Sequence, residues 1–189
     1  AESLDIIAET TIDELSKPVK EKIIIDYEIP PFKPRDRGNK KPRKISTVVQ
    51  SKKKRRTQQS KKIGLAGEMH VYQYEYNKLI RLDKKDLANK IKKHFENYEY
   101  PGWDITSYNA NGSEIYIEVK STKGTSINQL EITSNEWNSA VKENKKYYIY
   151  LVNNALNEKI KIFEMINDPA KLVEEKSIEI STSVFELKL

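Results

Sequence analysis

The sequence predicts an α/β (α+β) domain, and three stretches carry that prediction. Gly64 to Ile80 sets Leu65, Met69, Tyr72, Tyr76 and Leu79 at spacings of four, three, four and three, the apolar stripe of an amphipathic helix. Trp103–Tyr108 and Glu114–Lys120 alternate polar and apolar residues, the period of half-buried strands. Tyr147–Val152 (Y-Y-I-Y-L-V) is nearly all apolar, as expected of a strand covered on both faces.

At the start of the chain, T-T-I-D-E-L reads as a short helix and I-I-I-D-Y-E-I as a strand stopped by Pro30 and Pro31. Residues 1–30 are expected to be the tail of an upstream domain, or an arm packed on a partner subunit. The first residue is not methionine, which suggests a fragment. Residues 31–62 carry fourteen Lys/Arg against one acid, whereas residues 1–30 have a net charge of −5 and residues 63–189 of −2. With its Pro and Gly, this segment reads as an extended basic arm or linker, or else as a charged surface helix. Lys52, Lys53, Lys54, Arg55 and Arg56 are the candidate nucleic-acid contacts, since basic runs bind phosphates in a salt-dependent manner.

On the helix after Gly64, Glu68 and Glu75 lie on one flank of the stripe. Glu68, close to the expected N-terminus, would gain from the helix dipole, and Glu75 reads as structural. His70 is expected at the surface or in packing. Lys84 to Asn97 fits a helix through Leu87, Ile91 and Phe95, or a strand through Ile91, Lys93 and Phe95.

The hairpin holds the candidate chemistry. Asn109 to Gly112 carry residues suited to tight turns. A three-residue loop, Ala110-Asn111-Gly112, pairs Asn109 with Ser113 and places Asp104 opposite Glu118, with Lys120 on the same face. A two-residue turn would put the two carboxylates on opposite faces. Like charges across a strand pair are destabilising, and a divalent cation removes that objection. Hard oxygen donors suit Mg²⁺ or Mn²⁺, with water and phosphate filling the remaining positions. Lys120 could orient a water or offset charge developing on phosphorus. The competing reading is a solvated polar face with a Glu-Lys pair.

After Lys120, Ser121–Asn128 reads as a loop and Gln129–Ile132 as a brief extended piece. Thr133 and Glu136 form a T-x-x-E capping box opening a second helix, with Trp137, Ala140 and Val141 as its buried face. Lys142, Lys145 and Lys146 either touch phosphate or solvate the helix end. Lys159–Met165 alternates, Asp168-Pro169 breaks the chain, Ala170–Val173 makes a helical turn, and Phe185–Leu189 reads as a last strand.

G-W-D-I followed by I-E-V-K-S-T, with G-L-A-G-E before and I-T-S-N-E-W after, resembles the C-terminal domain family named after the plant protein NO VEIN, over roughly Ile63 to Asn154. That family is placed in the PD-(D/E)XK nuclease-like superfamily. The resemblance implies a restriction-endonuclease-like core, helix-strand-strand-strand-helix-strand, with a mixed sheet flanked by helices over residues 63–189. It resolves Lys84–Asn97 as a helical turn at Asp86–Asn89 and a strand near Lys90–Glu96 decorated by His94. It also implies that Asp104, Glu118 and Lys120 are the catalytic set, that Glu68 joins the two carboxylates as a metal ligand, and that Gln129 helps hold the attacking water. Pro101 stands three residues before Asp104, unlike the adjacent proline of the superfamily's name. The implied activity is Mg²⁺-dependent endonuclease cleavage of DNA, in restriction, defence or repair. The other class is a non-catalytic nucleic-acid- or protein-binding module of a larger ATPase, helicase or modification enzyme.

Composition bounds these readings. With no cysteine there is no thiolate nucleophile, disulfide or zinc-thiolate site, and two histidines cannot build a His-rich metal cage. No apolar stretch approaches membrane-span length and no signal peptide is visible. A cytoplasmic protein with nucleic acid as partner, with no membrane association and with homodimerisation left open, is expected.

Overall fold

The structure, a computed structural model, describes residues 27–30, 32–33, 50–95 and 101–181, with backbone alone for residues 50–57. The expectations for residues 1–26 and the strand at 185–189 lie outside these. The architecture is a mixed α+β domain, a five-stranded sheet with helices on both faces. Helix α1 spans Gln50–Arg81 and α2 Lys85–Ala88. Strands β1 (Lys92–Lys93), β2 (Ile105–Tyr108) and β3 (Glu114–Ser121) follow. Helix α3 (Ser134–Glu143), β4 (Tyr147–Asn153), β5 (Lys161–Asn167) and α4 (Pro169–Glu174) complete it.

The strands lie in sequence order, antiparallel except for the parallel pair β3–β4, which α3 connects. Ile105 pairs with Ile117, Tyr108 with Glu114, and Asn109 N–H donates to Ser113 O at 2.9 Å. This is the register of the three-residue loop, so Asp104 stands just beyond the ladder, opposite Glu118.

Several boundaries differ from expectation, each for a physical reason. Helix α1 begins at Gln50 rather than at Gly64, so the basic run rides on a helix instead of an extended linker. Lys, Arg and Gln are good helix formers, and the Pro and Gly that suggested a linker, Pro31, Pro34, Gly38 and Pro42, all precede Gln50. Glu68 is therefore mid-helix and beyond the reach of the N-terminal dipole. The buried line of α1 runs through Gly67, Val71, Tyr74 and Leu79, while Leu65, Met69, Tyr72 and Tyr76 are half-buried flanks. An apolar count misses Gly67, where a Cβ would stand 1.7 Å from Ser121 Oγ, so the helix backbone approaches β3 there. On α3, Val141 is 48% exposed and Ser139 takes the buried position. Thr133 and Glu136 do form the reciprocal capping box.

One core layer lies under α1: Val71, Tyr74, Ile105, Ile115, Ile117, Val119, Tyr150, Val152 and Ile162. The other, under α3 and α4, gathers Ala140, Tyr147, Ile149, Leu151 and Ile166, with Trp103 and Tyr116 packed against it. Trp103 thus packs on the opposite side of the sheet from Ile105, against the expectation from strict alternation that the two share a face. Gly102, at φ +102°, turns the chain beneath α3, where Ser139 Oγ donates to Pro101 O and Tyr147 OH to Gly102 O. Residues before the hairpin belong to the packing too. Tyr27 OH accepts from Ile162 N–H of the edge strand β5 at 2.7 Å and is hydrogen-bonded to His70 Nε2 at 3.1 Å. Tyr27 and Ile29 pack on the α1 layer and Phe32 on the other, so the segment crosses between layers at the β5 edge.

Candidate functional site

The site is built at the C-terminal end of β3. Alternation along that strand sends Ile115, Ile117 and Val119 to the α1 layer and Tyr116, Glu118 and Lys120 to the α3 face. Ligands of open sheets containing parallel strands gather at such strand ends. Glu118 is only 5% exposed. Asp104 is held beside it because Oδ2 accepts from the Val119 backbone N–H at 2.7 Å, a bond that fixes the carboxylate's aim. The preceding Trp103 is anchored by its Nε1–H donated to Thr106 Oγ1 and by a tilted ring contact with Tyr116, with ring centroids 4.3 Å apart. Thr106 Oγ1 is also bonded to His94 Nε2 at 2.9 Å, so the His94 of the sequence reading is buried support rather than decoration.

Lys120 Nζ donates to Glu118 Oε1 at 2.7 Å and to Glu136 Oε2 at 2.8 Å. Burial works against its charge, but the two carboxylates outweigh that and raise its pKa above the ordinary lysine value. Lys120 is therefore a fixed ammonium. The acids shift the other way. Burial raises Glu118 well above the carboxylate range, helped by the Asp104 charge and opposed by Lys120. Burial likewise raises Asp104 against the Val119 N–H and Lys120. Glu68 is pushed up to about 7 by burial and by the Asp104 charge, with Lys120 opposing. Tyr147, buried near the same acids, is raised above the usual phenol value.

The sequence-predicted residues are thus unequally gathered. Asp104, Glu118 and Lys120 share one corner, and Glu68 is near enough for its charge to be felt there. Among the described residues no three His, Cys, Asp or Glu side chains converge as a ready ligand group for a metal. Gln129 is exposed in the irregular segment before α3. Lys52–Arg56 lie in the first turns of α1, N-terminal to Glu68. Sequence reasoning took Glu136 for a helix cap only. The signal that would have revealed its second role is topological: in a parallel β3–α3–β4 unit the first turn of the helix returns to the end of the strand it left.

The donor set can nevertheless be tested against a cation. Lys120 is bonded to two carboxylates, Glu118 and Glu136, with Asp104 and Glu68 near enough to feel its charge, and burial and mutual repulsion raise Glu68, Asp104 and Glu118. Positive charge is in deficit at oxygen donors alone, and Mg²⁺ commonly takes only one or two protein carboxylates. Asp104 and Glu118 are the hard oxygen donors that a divalent ion would take, and Glu68 is near enough to feel the charge of Asp104.

Fold and site together define a mixed-sheet α+β domain with a buried carboxylate–lysine cluster at the end of its parallel strand pair. Residues 67–165, just over half of the chain, match the family described as Protein NO VEIN, C-terminal, and the chain belongs to that family. No curated protein and no solved structure matches it. Among the described residues no helix is long and apolar enough to cross a membrane.

Proposed function

We propose that this chain is a metal-dependent nuclease domain of the PD-(D/E)XK, restriction-endonuclease-like kind, hydrolysing phosphodiester bonds of DNA in a restriction, defence or repair setting. The observation that carries the reading is the pairing of Asp104 and Glu118 in one buried corner with Lys120. The order helix, three strands, helix, strand with a parallel β3–β4 pair supports it. When bound by Asp104 and Glu118, with Glu68 beside them, Mg²⁺ or Mn²⁺ supplies Lewis acidity toward a water and a phosphoryl oxygen. The chain's own residues do the rest. Val119 N–H holds the Asp104 carboxylate in one orientation. Lys120, a permanent ammonium, does not accept a proton; it donates hydrogen bonds and offsets negative charge developing at phosphorus. The basic run sits twelve to sixteen residues before Glu68 on the same helix, about 18–24 Å along its axis. That is suited to holding backbone phosphates away from the reacting bond.

The test is cleavage of plasmid DNA with added Mg²⁺ or Mn²⁺. Wild-type protein is expected to nick or linearise it, and Asp104→Ala and Lys120→Ala to lose cleavage while retaining binding. Replacing Lys52–Arg56 by Ser should weaken binding and flatten its log–log salt dependence by as much as about 4.5; an unchanged slope removes the run from the interface. Binding without cleavage by wild-type protein under either metal rejects the nuclease. It would favour the second reading, a non-catalytic nucleic-acid- or protein-binding module of a larger ATPase, helicase or modification enzyme. One observation favours that reading: Lys120 is already neutralised by two carboxylates.

A further inference from the structure

We infer that Glu136 is a positioning residue for Lys120, held in place by the cap of α3, and that it keeps the ammonium in the site when Glu118 has another partner. Three hydrogen bonds carry this. Glu136 Oε2 accepts from Lys120 Nζ at 2.8 Å and from Thr133 N–H at 3.0 Å, while Glu136 N–H donates to Thr133 Oγ1 at 3.3 Å. The helix terminus therefore locks one carboxylate oxygen, and Lys120 is bonded to that oxygen rather than to a freely rotating side chain. Glu136 is mostly buried, as are Glu118 and Lys120, so these charge-assisted bonds are weakly screened.

The arrangement makes Lys120 a shared cation. With Glu118 as its only anion, anything that drew Glu118 away would leave a buried ammonium unpaired, a costly state that expels or neutralises the lysine. Glu136 prevents this from a different element, α3 rather than β3, so the two anions are engaged independently. A helix cap needs only a carbonyl-type oxygen at this position, since Gln serves as well as Glu in a capping box. The charge itself serves Lys120. The consequence for a cation at Asp104 and Glu118 rests on the nuclease reading; the Glu136–Lys120 coupling does not.

The experiment compares wild type with Glu136→Gln, which keeps the cap acceptor and removes the charge, and with Thr133→Ala, which removes the hydroxyl of the cap and keeps the charge. The first readout is the ¹⁵N-ammonium resonance of Lys120 and its proton exchange with water in metal-free protein. Slow exchange is expected in wild type and in Thr133→Ala, and exchange faster by about tenfold or more in Glu136→Gln. Equal exchange in wild type and Glu136→Gln overturns the inference, as does Thr133→Ala matching Glu136→Gln, because the effect would then come from helix placement. The second readout is Mn²⁺ affinity by calorimetry, expected to weaken about tenfold in Glu136→Gln; an unchanged affinity overturns the link to the cation. Wild-type protein that binds no Mn²⁺ removes the metal reading, while the ammonium exchange still decides the role of Glu136.

Discussion

Replacing Glu68 by Gln should stabilise the metal-free protein, and the gain should grow with pH. Glu68 is held at about 7 in the folded state against an ordinary value of 4.5, chiefly by burial. Between those values the folded protein keeps a proton that the unfolded chain has released. Stability is therefore full below about pH 4.5 and falls as pH rises toward 7. Each pH unit in that window costs about 1.4 kcal/mol, so the whole loss is about 3 kcal/mol as an upper figure. Glutamine carries no such penalty. Urea unfolding in EDTA, at pH 4, 6, 7 and 8, should show wild type and Glu68→Gln nearly equal at pH 4 and separated by about 1–3 kcal/mol at pH 8. For a chain of this length that is roughly 2–4 °C of melting temperature per kcal/mol. A mutant no more stable than wild type at pH 8, or a difference independent of pH, refutes the reasoning. An ordinary surface glutamate would show neither trend, and adding Mn²⁺ should narrow the gap if Glu68 serves the cation.

Two further changes probe how the site is held. Gly67→Ala forces a Cβ against Ser121 Oγ and Cβ, so it should destabilise by about 1–3 kcal/mol in urea unfolding; combined with Ser121→Gly it should cost less than the sum of the single changes, and strict additivity would deny the contact. Tyr27→Phe removes the acceptor of the Ile162 N–H, so that amide should exchange about tenfold faster in hydrogen–deuterium NMR while Val119 N–H, bonded to Asp104, stays protected; an unaltered Ile162 amide would mean that Tyr27 does not bridge α1 and β5 in solution.

Local patterns made much of this legible. The turn residues at Asn109–Gly112 and the period-2 rows on either side led to the observed register, and the register alone put Asp104 opposite Glu118. Glu75, read as structural, is fully buried and accepts hydrogen bonds from Ser107 Oγ and Tyr150 OH while pairing with Lys78. Where the reading failed, the cause was non-local. Gly67 has no side chain to enter an apolar stripe, and its role depends on a strand some fifty residues later. Val141 looked buried beside Ala140, yet the rotation of α3 over the sheet gave that position to Ser139.

Already legible along the chain were the alternation that aims Glu118 and Lys120 to one side of β3, the capping box at Thr133, and the segregation of positive charge into residues 31–62. These are set by neighbours within a few residues, through strand pleat, helix geometry and composition. Packing in three dimensions was needed to hold Asp104 on the Val119 amide, to bring Glu68 within reach of the acids' field, and to let Glu136 share Lys120 with Glu118. Those relations arise where α1 and α3 dock on the sheet, and burial there sets the charge states; neither docking nor burial is written in the spacing of residues along the chain.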